Sequence, residues 1–300
     1  MATKKSTAKG VMVAMVTPFD ENERIDENSL RNLVDWLVEG GVPFLFPCGS
    51  AGEAPTLTME ERKRVIDTVV DQANGKARVL PGTGAVSTKE TLELTKHAKD
   101  SGADGAIIVT PYYFHPSHAA LTRHYKTISD KVGLPIYVYD VPGATGYSLP
   151  PKFVAELAHI DNIVGIKDSS GDLLKVLQEI QMIGDKIAIF EGAEYHIVSA
   201  LSAGADGFVT GLGNICPKFM VEFYNACKNG DFDQAVQMQL KLESLLGAVL
   251  DLWDYSSLKE GLNLQGIQVG NLRSPSLPMS VEQKAKFRKT LVEFGLLKPS

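Results

Sequence analysis

The segment IVGIKDSSGD, residues 163–172, sets Lys167 at the end of an apolar run. The run reads as a buried strand. A lysine at its end has three options: it snorkels to solvent, pairs with the neighbouring Asp168, or projects into an apolar mouth. In the last case lost hydration disfavours the ammonium, and the neutral amine can attack a ketone to form a Schiff base. The iminium is then an electron sink for making or breaking a carbon–carbon bond. The run PIYVYD, 135–140, brings Tyr139 to a comparable position. Its phenol can pass protons to and from a substrate, although tyrosine is equally at home in a core. After PFLFP comes GSAGE, 49–53, a glycine-flanked turn. Its N–H groups can converge on a carboxylate with the Ser50 hydroxyl beside them, although glycine turns end many strands.

Other chemistries find less support. His115, His118 and His124 lack HExxH spacing, and the proline after His115 breaks any shared helix face, so no metal site is expected. Three cysteines, Cys48, Cys216 and Cys227, show no CxxC spacing and no disulfide framework, which points to a reducing, cytoplasmic setting. A net charge of −6 without a basic run argues against a nucleic-acid partner. No apolar run reaches the roughly 18 residues that span a bilayer. The start, MATKKSTAKG, lacks the apolar stretch of a secretory signal and reads as a loose tail over residues 1–9.

These residues need a frame. Eight short apolar runs, at 11–16, 43–47, 77–83, 105–110, 135–140, 163–168, 187–192 and 207–211, are apolar on both faces, as strands covered on two sides are. Helical spacing lies between them, at 26–39, 58–72, 87–101, 118–131, 150–159, 172–183, 194–203 and 217–229. Thr58 with Glu61 and Ser87 with Glu90 have the spacing of helix starts. The tetrapeptide GADG occurs at 102–105 and 204–207, each time where a helix closes and a strand opens. Eight such units predict a (β/α)8 TIM barrel over 10–230, with a helical extension over 231–300, clearest at 232–251. A doubly wound sheet shares the alternation, but no GxGxxG follows the first strand. In a barrel the strand ends face one mouth, and Ser50, Tyr113, Tyr139 and Lys167 all stand at or just beyond such ends.

GSAGE, TPYYFHPS, YDVPGATG and GIKDSSGD, in that order, resemble the dihydrodipicolinate synthase / N-acetylneuraminate lyase family, over nearly the whole chain. The resemblance implies class I, pyruvate-handling aldolase chemistry on a (β/α)8 barrel, with no metal or organic cofactor and a homotetramer built from dimers. It implies Lys167 as the Schiff-base lysine, Tyr139 as acid/base, Ser50 in the proton relay, and Tyr113 as a relay tyrosine reaching in from a neighbouring subunit. It implies Gly49, Ala51, Thr145 and Val209 as substrate-binding positions. The partners would be a small 2-oxo acid and an aldehyde.

Three departures shape the expected substrate. The synthase branch usually reads GTTGE where Ala51 stands, asparagine where Asp140 stands, and arginine where Ala144 stands. Ala144 cannot pair with a distal carboxylate as arginine does. The expectation is therefore cleavage of a 2-keto-3-deoxy sugar acid or 4-hydroxy-2-oxoglutarate to pyruvate and an aldehyde. The alternatives are dihydrodipicolinate synthase or a 2-keto-3-deoxy acid dehydratase, or a barrel that binds 2-oxo acids without turnover.

Overall fold

A computed structural model describes residues 8–249 and 255–299. Eight parallel strands form one sheet: β1 (Gly10–Ala14), β2 (Phe44–Phe46), β3 (Arg78–Val79), β4 (Ala106–Val109), β5 (Ile136–Asp140), β6 (Ile163–Asp168), β7 (Ala188–Glu191) and β8 (Gly207–Thr210). Their order is β3-β2-β1-β8-β7-β6-β5-β4. The ring closes through a parallel bridge between Gly82 and Ile107, where the Ile107 N–H donates to Pro81 O at 2.9 Å and the Thr83 N–H donates to Ile107 O at 3.0 Å. The fold is a (β/α)8 barrel, as expected. The third run is the weakest strand, because Pro81 has no N–H to give the ladder.

The helices of the barrel wall are α1 (Glu27–Glu39), α2 (Met59–Ala73), α3 (Thr88–Asp100), α4 (His118–Val132), α6 (Pro151–Leu157), α7 (Leu173–Ile183), α8 (Ile197–Ala203) and α9 (Pro217–Asn229). A single turn, α5 (Pro142–Thr145), follows β5. Local chemistry starts them where the sequence suggested. Thr58 Oγ1 accepts from Glu61 N at 3.2 Å while Glu61 Oε2 accepts from Thr58 N at 2.8 Å, a complete capping box. The two GADG copies do the same job twice. Gly102 and Gly204 take left-handed φ angles of 90° and 114° to end a helix. The aspartates then tie the new strand to the previous one: Asp104 Oδ2 accepts from Val79 N at 2.8 Å, and Asp206 Oδ2 accepts from Ile189 N at 3.0 Å.

The C-terminal stretch forms α10 (Phe232–Val249), α11 (Ser256–Leu264) and α12 (Val281–Phe294). The end of the expected helix at 232–251 and most of the expected tail at 1–9 lie outside the described residues; within the latter, Ala8 is already buried. The extension is stitched to the barrel mouth by charge. Lys259 Nζ pairs with Glu53 Oε1 at 2.8 Å, the Arg273 N–H donates to Glu53 Oε2 at 2.8 Å, and the Arg273 guanidinium pairs with Glu61 at 2.7 Å. Glu53 is the last residue of GSAGE, so these helices hold the turn that the sequence marked.

Candidate active site

Strand pairing decides which side chains meet. In the β5–β6 register Tyr139 lies opposite Lys167 and Asp140 opposite Asp168. Alternation sends each pair to opposite faces of the barrel wall. Lys167 and Tyr139 turn inward, where Lys167 Nζ lies 4.0 Å from the centroid of the Tyr139 ring and 5.0 Å from that of Phe46. Lys167 is only 7% exposed, so it does not snorkel out, and the cation lies against two aromatic faces. Ser50, from the turn after β2, reaches the Tyr139 hydroxyl at 3.4 Å. Burial alone pushes the Tyr139 phenol up. The Lys167 ammonium, the Ser50 hydroxyl and the neighbouring Ser169 outweigh burial and hold the phenol below its usual value. A phenol so tuned gives and takes a proton more readily.

These groups open on one cavity of about 210 Å³. Ala51, Val209, Glu194 and Thr210 line it too, as do Leu246, Val249, Tyr255 and Leu258 of the extension. Its size suits a small organic acid. The GSAGE turn is fixed by close packing: a Cβ on Gly49 would come within 2.8 Å of the Phe46 ring, and Gly52 O accepts from Thr17 Oγ1 at 2.7 Å. Gly49 and Thr145 do not line this cavity. They line an adjoining one of about 90 Å³, together with Ser50, Tyr139, Ala144 and Arg62. The Thr145 hydroxyl is spent on backbone, donating to Tyr147 O at 2.9 Å. Tyr113 lines neither cavity of its own chain; it is 85% exposed, left-handed at φ 76°, and packed edge-on against Phe114.

Two groups escaped the sequence reading. Glu194 sits in a 3-10 turn just past β7; its Oε1 accepts from Thr210 Oγ1 and from Leu212 N at 3.0 Å. Burial pushes its carboxyl up, against those hydrogen bonds and the Lys167 charge. An acid three residues beyond a strand end was the available signal. The other is Lys175 on α7. Its Nζ bridges Asp140 and Asp168, both fully buried, and lies 3.6 Å from Glu179. Asp140 Oδ2 also accepts from Ser148 Oγ at 2.7 Å and from Leu149 N at 3.1 Å. The aspartate in place of the usual asparagine thus belongs to a buried ionic clamp behind the two reactive side chains. Asp168 is claimed by Lys175, not by Lys167.

Residues 7–294 match the dihydrodipicolinate synthetase family. The chain belongs to that family. It is thereby a pyruvate-dependent lyase of the Schiff-base class, a family that needs no metal or organic cofactor. Among similar proteins is the 4-hydroxy-tetrahydrodipicolinate synthase of Thermodesulfovibrio yellowstonii (strain ATCC 51303 / DSM 11347 / YP87), 40% identical over 97% of this chain and 99% of the relative. The synthase of the same name from Geotalea uraniireducens (strain Rf4) is 40% identical over 96% and 99%. The crystal structure of the chloride-inhibited dihydrodipicolinate synthase from Acinetobacter baumannii, complexed with pyruvate, superposes with a TM-score of 0.93 at 37% identity, over 97% of this chain and all of that one.

These relatives overturn the expected substrate. Cleavage of a 2-keto-3-deoxy sugar acid or of 4-hydroxy-2-oxoglutarate was inferred from three departures, with most weight on the missing guanidinium at Ala144, while synthases share the whole family frame at about 40% identity. The physical flaw lies in the weight given to a single side chain. A distal carboxylate can be met by converging backbone N–H groups as well as by arginine, so Ala144 does not exclude it. Among the described residues no group of His, Cys, Asp or Glu could hold a metal ion, and no helix is long and apolar enough to cross a membrane.

Proposed function

We propose that this chain condenses pyruvate with aspartate semialdehyde, the reaction of a 4-hydroxy-tetrahydrodipicolinate synthase. The observation that carries the reading is the Lys167 amine over the Tyr139 ring in one small cavity, with Ser50 hydrogen-bonded to the phenol. Lys167 Nζ adds to C2 of pyruvate. Tyr139 gives a proton to the leaving hydroxyl, water departs and the iminium forms. The turn at Ser50 and Ala51 holds the carboxylate, and Val209 lines the cavity beside it. C3 then loses a proton to the Tyr139 phenolate, and the enamine attacks the aldehyde carbon, whose oxygen takes that proton back from Tyr139. The amine of the semialdehyde attacks C2, displaces Lys167 and closes a six-membered ring. A coupled assay with both substrates tests this. Consumption of both is expected; pyruvate bound as an imine with no loss of aspartate semialdehyde would overturn it.

The same reading makes the chain a homotetramer, supported by the exposure of Tyr113 and Phe114, 85% and 77%, on one loop. Tyr113 would then meet the relay of a neighbouring subunit, and sedimentation velocity tests the assembly. A cytoplasmic setting is supported by Cys48, Cys216 and Cys227, all free and buried.

A further inference from the structure

Arg62 is a buried cation without a counter-charge. It lies on α2, is 6% exposed, and donates through Nη2 to two carbonyls, Gly82 O at 2.7 Å and Gly84 O at 2.9 Å. Both carbonyls are fixed by packing: a Cβ on Gly82 would collide with Cys48 O, and one on Gly84 would come within 2.6 Å of Val109. The guanidinium is therefore held in one place. Its Nε has no partner, and its Nη1 makes no hydrogen bond among the described residues. Among the same residues no carboxylate pairs with it. Glu90, which shares a surface groove with Arg62, is bonded to Ser87 at 2.9 Å instead. Cys48 brings no charge at neutral pH, because burial pushes its thiol up to about 11. A buried charge left uncompensated destabilises a fold, and an anion from outside the chain would relieve it.

Arg62 lines the cavity of about 90 Å³ that also holds Ala144 and Thr145, and it is the only charged residue there among the described residues. That cavity shares Ser50, Tyr139 and Val141 with the larger one that holds Lys167. Tyr139 thus stands where the two spaces meet. We propose that Arg62 supplies the cation that the Ala144 loop lacks, and binds the carboxylate of aspartate semialdehyde. The inference rests on the synthase reading given above. The aldehyde carbon must meet the enamine on Lys167, and its oxygen must reach Tyr139, so the aldehyde sits at the junction of the cavities. The carboxylate carbon is three bonds further on and enters the smaller cavity, where the Nη1 donors of Arg62 are unused. Arg62 touches no reacting atom. It is a specificity residue that selects an aldehyde bearing a carboxylate.

The test is steady-state kinetics with pyruvate and two aldehydes: aspartate semialdehyde, and 3-aminopropanal, which lacks the carboxylate. Arg62→Gln removes the charge and keeps a donor for the carbonyls. The half-saturating concentration of aspartate semialdehyde should rise about 10–100-fold, the scale of one hydrogen bond to a charged group. That of pyruvate should hold within about twofold. The kcat/KM for 3-aminopropanal, or its inhibition constant if it does not turn over, should agree between parent and variant within about threefold. Arg62→Lys keeps the charge without the planar fork and should raise the aspartate semialdehyde value by about 3–10-fold; it carries the test if Arg62→Gln does not fold. An equal loss towards both aldehydes, or towards pyruvate as well, overturns the proposal, because Arg62 would then only brace Gly82 and Gly84. So does an Arg62→Gln protein within twofold of the parent towards aspartate semialdehyde. A parent protein that consumes no aspartate semialdehyde overturns the synthase reading itself, and the role of Arg62 with it.

Discussion

Lys175→Met should destabilise the fold strongly. The ammonium touches Asp140 and Asp168, and neither carboxylate has exposed surface. Asp140 keeps Ser148 and Leu149 as donors and Asp168 keeps the Ser170 N–H at 2.7 Å, but no other cation is recorded in contact with either among the described residues. Two carboxylates that shared one ammonium then face each other. Unit charges about 4 Å apart repel by ~4 kcal/mol at an effective dielectric of about 20. Removing one partner of a buried pair costs ~3–5 kcal/mol, the same scale by an independent route. At an unfolding entropy of about 2.1 cal/mol/K per residue this chain loses about 1.6 °C per kcal/mol, so Tm should fall by about 5–8 °C. Thermal melts followed by circular dichroism at pH 8 read this directly. A companion Lys175→Met, Asp168→Asn variant should recover part of the loss, since only one buried charge is left. Asp140 and Asp168 follow Tyr139 and Lys167 in register, so turnover should fall with stability. A Lys175→Met protein that melts within 2 °C of the parent, or a double variant less stable than the single one, would refute the clamp.

Tyr139→Phe should slow imine formation on Lys167 and lower turnover by about 10²–10⁴, the scale of a positioned proton-transfer group, as stopped assays with pyruvate and aspartate semialdehyde would show. Glu179 has a pKa pushed up to about 9, by burial first and then by the Asp168 charge. The folded state therefore binds this proton more tightly than the unfolded chain, and stability declines as pH rises from about 4.5 to 9. Glu179→Gln removes that decline, so its advantage in urea melts should be near zero at pH 5 and grow towards pH 9. Lys259→Met leaves Glu53 buried without its 2.8 Å partner and should cost ~3–5 kcal/mol in the same melts.

Much of the frame was legible because each signal had a local cause. The apolar runs became strands, and the capping pairs Thr58–Glu61 and Ser87–Glu90 began helices within a residue of the expected start. β6 ends at Asp168, where the sequence put it, which is why Lys167 could be singled out. The face of α7 was not legible. Leu174 and Leu177 are exposed at 63% and 38%, while Lys175 and Glu179 are buried, because the charges answer to Asp140 and Asp168 across the wall. Val176 and Ile183 share that buried face, so hydrophobicity sets only part of the helix's orientation. Glu194 and Tyr255 were missed for a related reason: they reach the cavity from a 3-10 turn and from the extension, and long-range folding, not spacing, puts them there. The substrate was misread when three local departures, Ala144 above all, were set against a whole family frame.

Borohydride reduction of the protein mixed with pyruvate, followed by peptide mass spectrometry, tests the central claim most directly. A single reduced pyruvyl adduct on Lys167 is the expected result. No adduct, or one on another buried lysine such as Lys175 or Lys259, would contradict the assignment of the reactive amine on β6.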